Sequence, residues 1–398
     1  MRRIELLSPN LEKKSCNALQ PAFIVHRMFP ISAILKKIAL GLSLIAASAA
    51  VLLYSDLNSR NHKAGDARAA GPLKVAIVQQ ASVSALDDGV QGMLTALKER
   101  GYVDGGRMVV RRYNAQGDIA TANAIAKEVT SGDFDLIYSA STVSLQTIAN
   151  ANKFATPPRQ HVFAIVTDPY AVGVGVSREN HAIHPPYMTG IGSEPPVEAT
   201  FRLALAMRPS LKRIGLVWDP SESNSVVATT LGRAACARLG MTLVEATAEN
   251  PTMVNEAASS LLARGVEAIW VSPDLVTGQG LGVIMDKAKT AKIPVFTSMP
   301  GDAITGSLFD LGADYPAIGH QSGEIVANVL DGRNPATIPV DNNSPVKLQV
   351  NRLALKGLRD QWQLPDSVVQ QARVVVDETG RHVNQTPPAF ANAAKESR

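Results

Sequence analysis

From Leu73 onward the chain alternates short β-rich apolar runs with stretches whose apolar residues recur every three or four positions. Runs at Leu73–Val78, Met108–Tyr113, Leu136–Ser139 and His161–Val166 predict strands, and Gln91–Arg100 and Ala120–Thr130 predict helices between them. The set closes near Tyr187 and the plan restarts. Strands are expected at Ile214–Trp218, Thr242–Ala246, Ala268–Val271 and Val295–Thr297, with helices at Ser225–Leu239, Met253–Arg264 and Leu281–Ala291. Residues 312–333 add an amphipathic helix, Val346–Val350 a strand, and a last helix is expected from Arg352. Alternation of this kind puts parallel sheets between layers of helices, so the fold class is α/β, with two similar Rossmann-like units in tandem. After Val376 no period survives, and residues 377–398 read as a flexible tail.

Upstream of Leu73 the pattern is different. Ile38–Leu53 is an unbroken apolar run of about 24 Å as a helix, preceded by Lys36 and Lys37 and followed by a polar stretch. That is the layout of an export segment, and it leaves two readings of residues 1–70 open. Either the chain is cleaved after the small residues Ala47-Ser48-Ala49, or the run stays as a signal-anchor with a polar linker behind it. Met28 offers a second start, at a more usual distance from the run.

Charge and composition then gain an address. The net charge is +4, but residues 1–37 alone carry +5, with seven Lys/Arg against Glu5 and Glu12. The body is nearly neutral, so no basic patch and no nucleic-acid partner are expected. With 398 residues, 45% of them apolar, the chain can bury large cores. Cys16 and Cys236 are its two cysteines, which precludes a disulfide inside an exported body, and Cys236 reads as a small buried thiol in a helix.

Six polar loops follow the strands of the two units: SVSALDD, SASTVS, TDPYAVG, DPSESNS, SPDLVTG and TSMPGD. In open parallel sheets ligands bind beyond the carboxyl ends of strands, where such loops meet helix N-termini. Each loop alone is explained by helix capping; their repetition on one edge of each unit points to a shared small-molecule cleft. Catalytic signatures are absent: no P-loop, no His-Glu-x-x-His, no Gly-x-Ser-x-Gly elbow and no Cys-x-x-Cys. Gly278-Gln279-Gly280 reads as a flexible loop before a helix, and His181 and His184 lie against Pro185 and Pro186 in a surface loop rather than on a metal-ligating helix. No enzyme, cofactor or metal site is expected.

Several motifs in order carry a resemblance: Ala85-Leu86-Asp87, Asn114-Ala115-Gln116-Gly117-Asp118, Val166-Thr167-Asp168-Pro169, Ser221-Glu222-Ser223-Asn224-Ser225, Ile293-Pro294-Val295-Phe296, and Gly312-Ala313-Asp314-Tyr315 leading to Gly319-His320-Gln321-Ser322-Gly323. Over about residues 73–375 the chain resembles the ABC-transporter substrate-binding proteins of the tryptophan/tyrosine-type family. The resemblance implies a type I periplasmic-binding-protein architecture, two lobes hinged by crossings near residues 190, 311 and 334. Lobe 1 is expected at 71–190 plus 312–333, and lobe 2 at 191–311 plus 334–376. It also implies a periplasmic monomer that delivers a small-molecule ligand to an ABC permease in the inner membrane. A membrane-anchored sensor using the same cleft is the alternative.

A zwitterionic amino acid needs N–H donors for its carboxylate and an acceptor for its ammonium. Ser141, Thr142 and Val143, opening a helix, are candidates for the carboxylate, with Ser82 and Ser84 beside them. Asp274 and Asp168 are candidates for the ammonium, although Asp-Pro at 168–169 reads equally as a turn. Thr167 adjoins Asp168; Glu222, Asn224 and Ser225 would close from the second lobe. The chain departs from the family pattern at Val83-Ser84, where His-Pro is usual, and at Leu275, where Asn follows the aspartate. Ser177–Pro186, with Arg178, His181 and His184, replaces a shorter Gly-rich connection and reads as a rim feature. Tyr170, Phe296 and Tyr315 are the nearest aromatic candidates to stack on a ligand.

Overall fold

The computed structural model describes Ser48, residues 71–301 and residues 306–384. Gly71 opens a compact unit in which two sheets organise the chain. The first holds β1 (Leu73–Gln79), β2 (Met108–Asn114), β3 (Leu136–Ala140), β4 (Gln160–Val166) and β5 (Met188–Gly192), all parallel, in the order β2-β1-β3-β4-β5. Its central strands are buried on both faces, as a helix-covered parallel sheet requires. The covering helices are α1 (Ser84–Glu99), α2 (Ile119–Ser131) and α3 (Thr142–Asn152). On α1 the buried residues Leu86, Val90, Met93 and Leu97 form one stripe, and Asp87 favours the first turn. The helix therefore starts seven residues before the expected Gln91, because its first two turns carry little apolar weight.

The second sheet holds β6 (Arg213–Trp218), β7 (Thr242–Thr247), β8 (Ala268–Val271), β9 (Val295–Thr297), β10 (Phe309–Ala313), β11 (Val346–Asn351), β12 (Val374–Asp377) and β13 (Gly380–Val383). Its order is β13-β12-β11-β10-β9-β8-β6-β7. The expectation of a purely parallel sheet is corrected here: β11 runs antiparallel to β10, and β13 antiparallel to β12. The reason lies in chain path. After β10 the chain leaves for α9 (Tyr315–Leu330), which packs against α1 of the first sheet, and β11 re-enters from the end at which β10 departed. The α1–α9 contact is backbone-close: a Cβ on Gly319 would lie 1.9 Å from the carbonyl oxygen of Gly89.

Helices α4 (Val197–Met207), α5 (Ser223–Arg238), α6 (Val254–Ala263), α7 (Leu275–Gln279), α8 (Leu281–Ala291) and α10 (Asp366–Gln371) belong to the second sheet's part of the chain. Its core centres on Phe201, Trp270, Phe296 and Phe309; Phe296 and Phe309 stack at 5.0 Å, and Phe201 meets Trp270 edge-on at 5.0 Å. Where the chain crosses between the sheets, the Gly192 N–H donates to the Asp341 carbonyl at 2.7 Å, so two crossing segments run side by side.

Other expectations shift. The helix expected from residue 312 begins at Tyr315, because Gly312 and Ala313 complete β10 and Asp314 caps the helix. In place of a helix from Arg352 there is a short 3₁₀ turn, Arg352–Leu355, followed by Gly357 with φ of 80°. Gly278 and Gln279, expected in a flexible loop, instead close a short helix, Leu275–Gln279, capped by the Asp274 side chain. Residues 377–384, expected in a flexible tail, include the β13 hairpin strand, paired through backbone groups that need no apolar period. Apart from Ser48, the export segment lies outside the described residues, as do residues 385–398.

Candidate functional site

At the carboxyl ends of β1, β3, β4 and β8 lies a cavity lined from both sheets' parts of the chain. One wall comes from the first sheet's helices and loops: Gln80, Val83, Ala85 and Leu86 around the start of α1; Ser141, Thr142 and Val143 at the start of α3; Ile165, Thr167, Ser193 and Tyr315 beyond them. The other comes from the second: Glu222 and Asn224 at the start of α5, Pro273, Asp274 and Leu275 at the start of α7, and Met299 after β9. The walls meet: Gln146 of α3 donates to the Ser223 hydroxyl of α5 at 3.1 Å.

The start of α3 is a ready anion cradle. Ser141 caps the helix, its hydroxyl accepting from the Ser144 N–H at 3.1 Å, while the N–H groups of Thr142 and Val143 have no intrahelical acceptor. Thr142 is buried, and its hydroxyl makes no hydrogen bond to a described residue. The backbone here is strained. Ser141 has φ of 127° and Ile165 has φ of 57°, a conformation that β-branched residues avoid. Ile165 falls where the β4–β5 register shifts. Both strained residues line the cavity, and strain held in place by surrounding structure collects at ligand sites.

The opposite wall carries two buried carboxylates. The Glu222 carboxylate accepts from the Asn224 side-chain amide at 2.9 Å and from the Leu275 N–H at 3.1 Å. Burial, reinforced by the Asp274 charge, pushes its pKa up to about 7. Asp274 is also raised by burial, but its oxygens are taken by backbone donors: the Thr277 N–H at 2.7 Å and the Asp219 N–H at 2.9 Å. Asp274 is thus the cap of α7, although it borders the cavity. Glu222 is the carboxylate better placed for an ammonium.

The remaining expected residues divide. Ser141, Thr142, Val143, Thr167, Glu222, Asn224, Asp274, Leu275 and Tyr315 are brought to the cavity. Ser82 and Ser84 are not among its lining: the Ser82 hydroxyl donates to Asp87 at 2.6 Å, and Ser84, the first residue of α1, is exposed. The fully buried Ser225 hydroxyl accepts from the Asp219 N–H at 3.1 Å, a role inside the loop. Asp168 is drawn off by its own turn, accepting from the Tyr170 and Ala171 N–H groups at 3.0 and 3.2 Å and pairing with Arg178. Phe296 is core, and Tyr170 stacks on His181 at 4.9 Å with Arg178 over its ring. Gln80, Ile165, Ser193 and Met299 were missed. Gln80 directly follows a strand that the apolar pattern marks, a position that flags it, whereas Ser193 follows β5, whose sequence carries no strand pattern.

A Ser139–His161 pair at 2.7 Å is the nearest thing to a catalytic dyad, but both are fully buried in the first sheet. Burial pushes the His161 pKa down to about 3, so the ring stays neutral. Among the described residues no group of three or more His, Cys, Asp or Glu could hold a metal.

The chain is similar to several known proteins. Residues 74–376 match the family described as ABC transporter substrate binding protein. A protein of Clostridioides difficile (strain R20291) named tyrosine-binding protein is 29% identical over 294 residues, covering 74% of this chain and 83% of that protein. The crystal structure of a conserved domain protein from Vibrio cholerae superposes with a TM-score of 0.71 at 29% identity, covering 77% of this chain and all of the other. An ABC domain from Streptococcus pneumonia, solved in complex with L-Trp, gives a TM-score of 0.70 at 24% identity, over 77% of this chain and 100% of that one, and supports the two-lobed fold.

Proposed function

The chain belongs to the ABC transporter substrate binding protein family, and from that premise we propose that it is the solute-binding component of an ABC importer, closing on a small amino-acid-like ligand between two lobes. Lobe 1 is residues 71–190 plus 312–333, and lobe 2 is 191–311 plus 334–376. One observation carries the ligand class: a single cavity sets the unpartnered N–H groups of Thr142 and Val143 on one wall against the buried Glu222 carboxylate on the other. An α-carboxylate matches the first and an α-ammonium the second. The Clostridioides difficile relative, named for tyrosine binding, supports an amino acid.

The zwitterion would be gripped at both ends by different lobes, so each half-site alone is weak and the closed form is favoured when ligand bridges them. The closed, loaded protein then presents itself to a permease in the inner membrane. The site of action is the periplasm, reached through the export segment at residues 38–53, which is either cleaved or kept as an anchor. The Thr142 hydroxyl supplements the backbone donors, and Asn224 holds the Glu222 carboxylate in position.

A thermal-shift screen of the purified protein against the amino acids tests this. A ligand at a hundred times its Kd should stabilise the fold by roughly 2.7 kcal/mol. A complete screen in which no amino acid raises the melting temperature would overturn the reading.

A further inference from the structure

Gln80 directly follows β1, and its backbone carbonyl accepts from the Gly117 N–H at 2.8 Å. Its side chain lines the cavity and is only 4% exposed, yet the amide oxygen Oε1 is enclosed with no hydrogen-bond partner. Among the described residues other buried orphans exist, such as Ser272 Oγ, Thr229 Oγ1 and Trp362 Nε1, but none of those residues lines this cavity. An enclosed acceptor left unpaired carries a desolvation cost, and that cost disappears when a donor arrives. Because Gln80 borders the cavity, an occupant of the cavity is placed to supply that donor.

Resting on the amino-acid reading above, we propose that Gln80 sets the specificity of the site by requiring a hydrogen-bond donor on the ligand's side chain: a hydroxyl, a carboxamide or a ring N–H. The zwitterionic end is already served by the start of α3 and by Glu222, which leaves the Gln80 carboxamide to the side chain. The body of that side chain rests on Leu86, Ile165 and Met299, which offer apolar contact and no polar group. An apolar side chain of equal size fills the same space and leaves Oε1 orphaned. A site built around a buried polar group rejects such an analogue far more strongly than an apolar pocket rejects a missing methyl.

The test is calorimetric titration of the wild-type protein and Gln80→Met with two size-matched pairs, tyrosine against phenylalanine and glutamine against methionine. In the wild type the better-binding pair favours its donor-bearing member by about tenfold or more. In Gln80→Met that preference shrinks to within about threefold, and the ligand-free protein melts higher because the orphan is gone. The proposal is overturned if phenylalanine or methionine binds the wild type as tightly as its partner, or if the preference survives Gln80→Met. It is also overturned if Gln80→Met and Gln80→Leu both fail to fold, which makes Gln80 a structural residue. Amino-acid binding without discrimination removes only the role of Gln80, whereas no binding by any amino acid removes the amino-acid reading as well.

Discussion

On the first wall of the cavity no charged side chain is present: helix N–H groups, hydroxyls, one carboxamide and apolar side chains do the lining. On the second wall two carboxylates, Glu222 and Asp274, are buried within one loop system. Each wall holds unfavourable free energy, in a different form. The first wall stores it as backbone strain at Ser141 and Ile165 and as the orphaned amide of Gln80. The second stores it as like charges kept from water. On the proposed reading, a neutral zwitterion with a polar side chain answers both walls at once, which neither a simple anion nor a simple cation can do. The division of labour thus selects for ligands that bridge.

The sharpest way to break that comparison is to neutralise the second wall. Glu222→Gln keeps the shape and removes the charge; an amino acid that binds the wild type should lose about 100-fold in affinity, on the order of 3 kcal/mol for an ammonium left without its buried counter-charge. Titration calorimetry reads this directly, and a loss under threefold would put the ammonium elsewhere. The same residue gives a pH signature. With its pKa pushed to about 7, Glu222 takes up a proton as pH falls, and the ammonium must then compete with it. Affinity should drop about tenfold per unit below pH 7 in the wild type and stay flat in Glu222→Gln. Stability of the empty protein runs the opposite way. The folded pKa lies above the ordinary value of 4.5, so the folded form holds the proton more tightly. The group's contribution is fully present below pH 4.5 and is lost as pH rises through 7. Melting of the ligand-free wild type should therefore fall across that window relative to Glu222→Gln.

Asp274 shares the wall but not the role. Asp274→Ala removes the cap of α7 and the acceptor of the Asp219 N–H, so it should cost about 2–3 kcal/mol of stability, a melting temperature lower by several degrees. Ligand affinity should hold, or rise slightly near pH 6, because one of the charges raising Glu222 has gone. A variant that melts normally but no longer binds would return Asp274 to the ammonium site.

This contrast also explains what the amino-acid sequence disclosed. The strands with strong β-branched runs, such as Ala268–Val271, were legible to the residue, since two buried faces demand continuous apolar sequence. β5 (MTGIG) and β10 (FDLGA) were not, because glycines and a buried aspartate stand where a strand pattern expects branched side chains. At the site, Ser141–Val143 and Glu222 were legible because helix starts after strands are fixed by alternation alone. What could not be read was which carboxylate of a loop is already engaged. Asp168, Glu222 and Asp274 look alike in sequence, and only the folded groups around them show that both oxygens of Asp168 and of Asp274 are engaged while the two bonds to Glu222 fall on one oxygen.

Arg178 sharpens the comparison at its quietest point. It belongs to the segment Ser177–Pro186, lies over the Tyr170 ring at 5.1 Å and pairs with Asp168, whose turn adjoins the cavity residue Thr167. If the rim contributes to recognition, removing this cation should be felt in binding. The geometry predicts otherwise. The Arg178 side chain is 55% exposed, so its ion pair is screened by solvent and contributes less than about 1 kcal/mol. Asp168 keeps the Tyr170 and Ala171 N–H groups without it, and Thr167 directly follows β4. Arg178→Ala should lower the melting temperature by a degree or two and leave ligand affinity within about twofold. A tenfold loss would mean that the first wall is not neutral after all, and that a cation at its edge takes part of the work assigned to the start of α3.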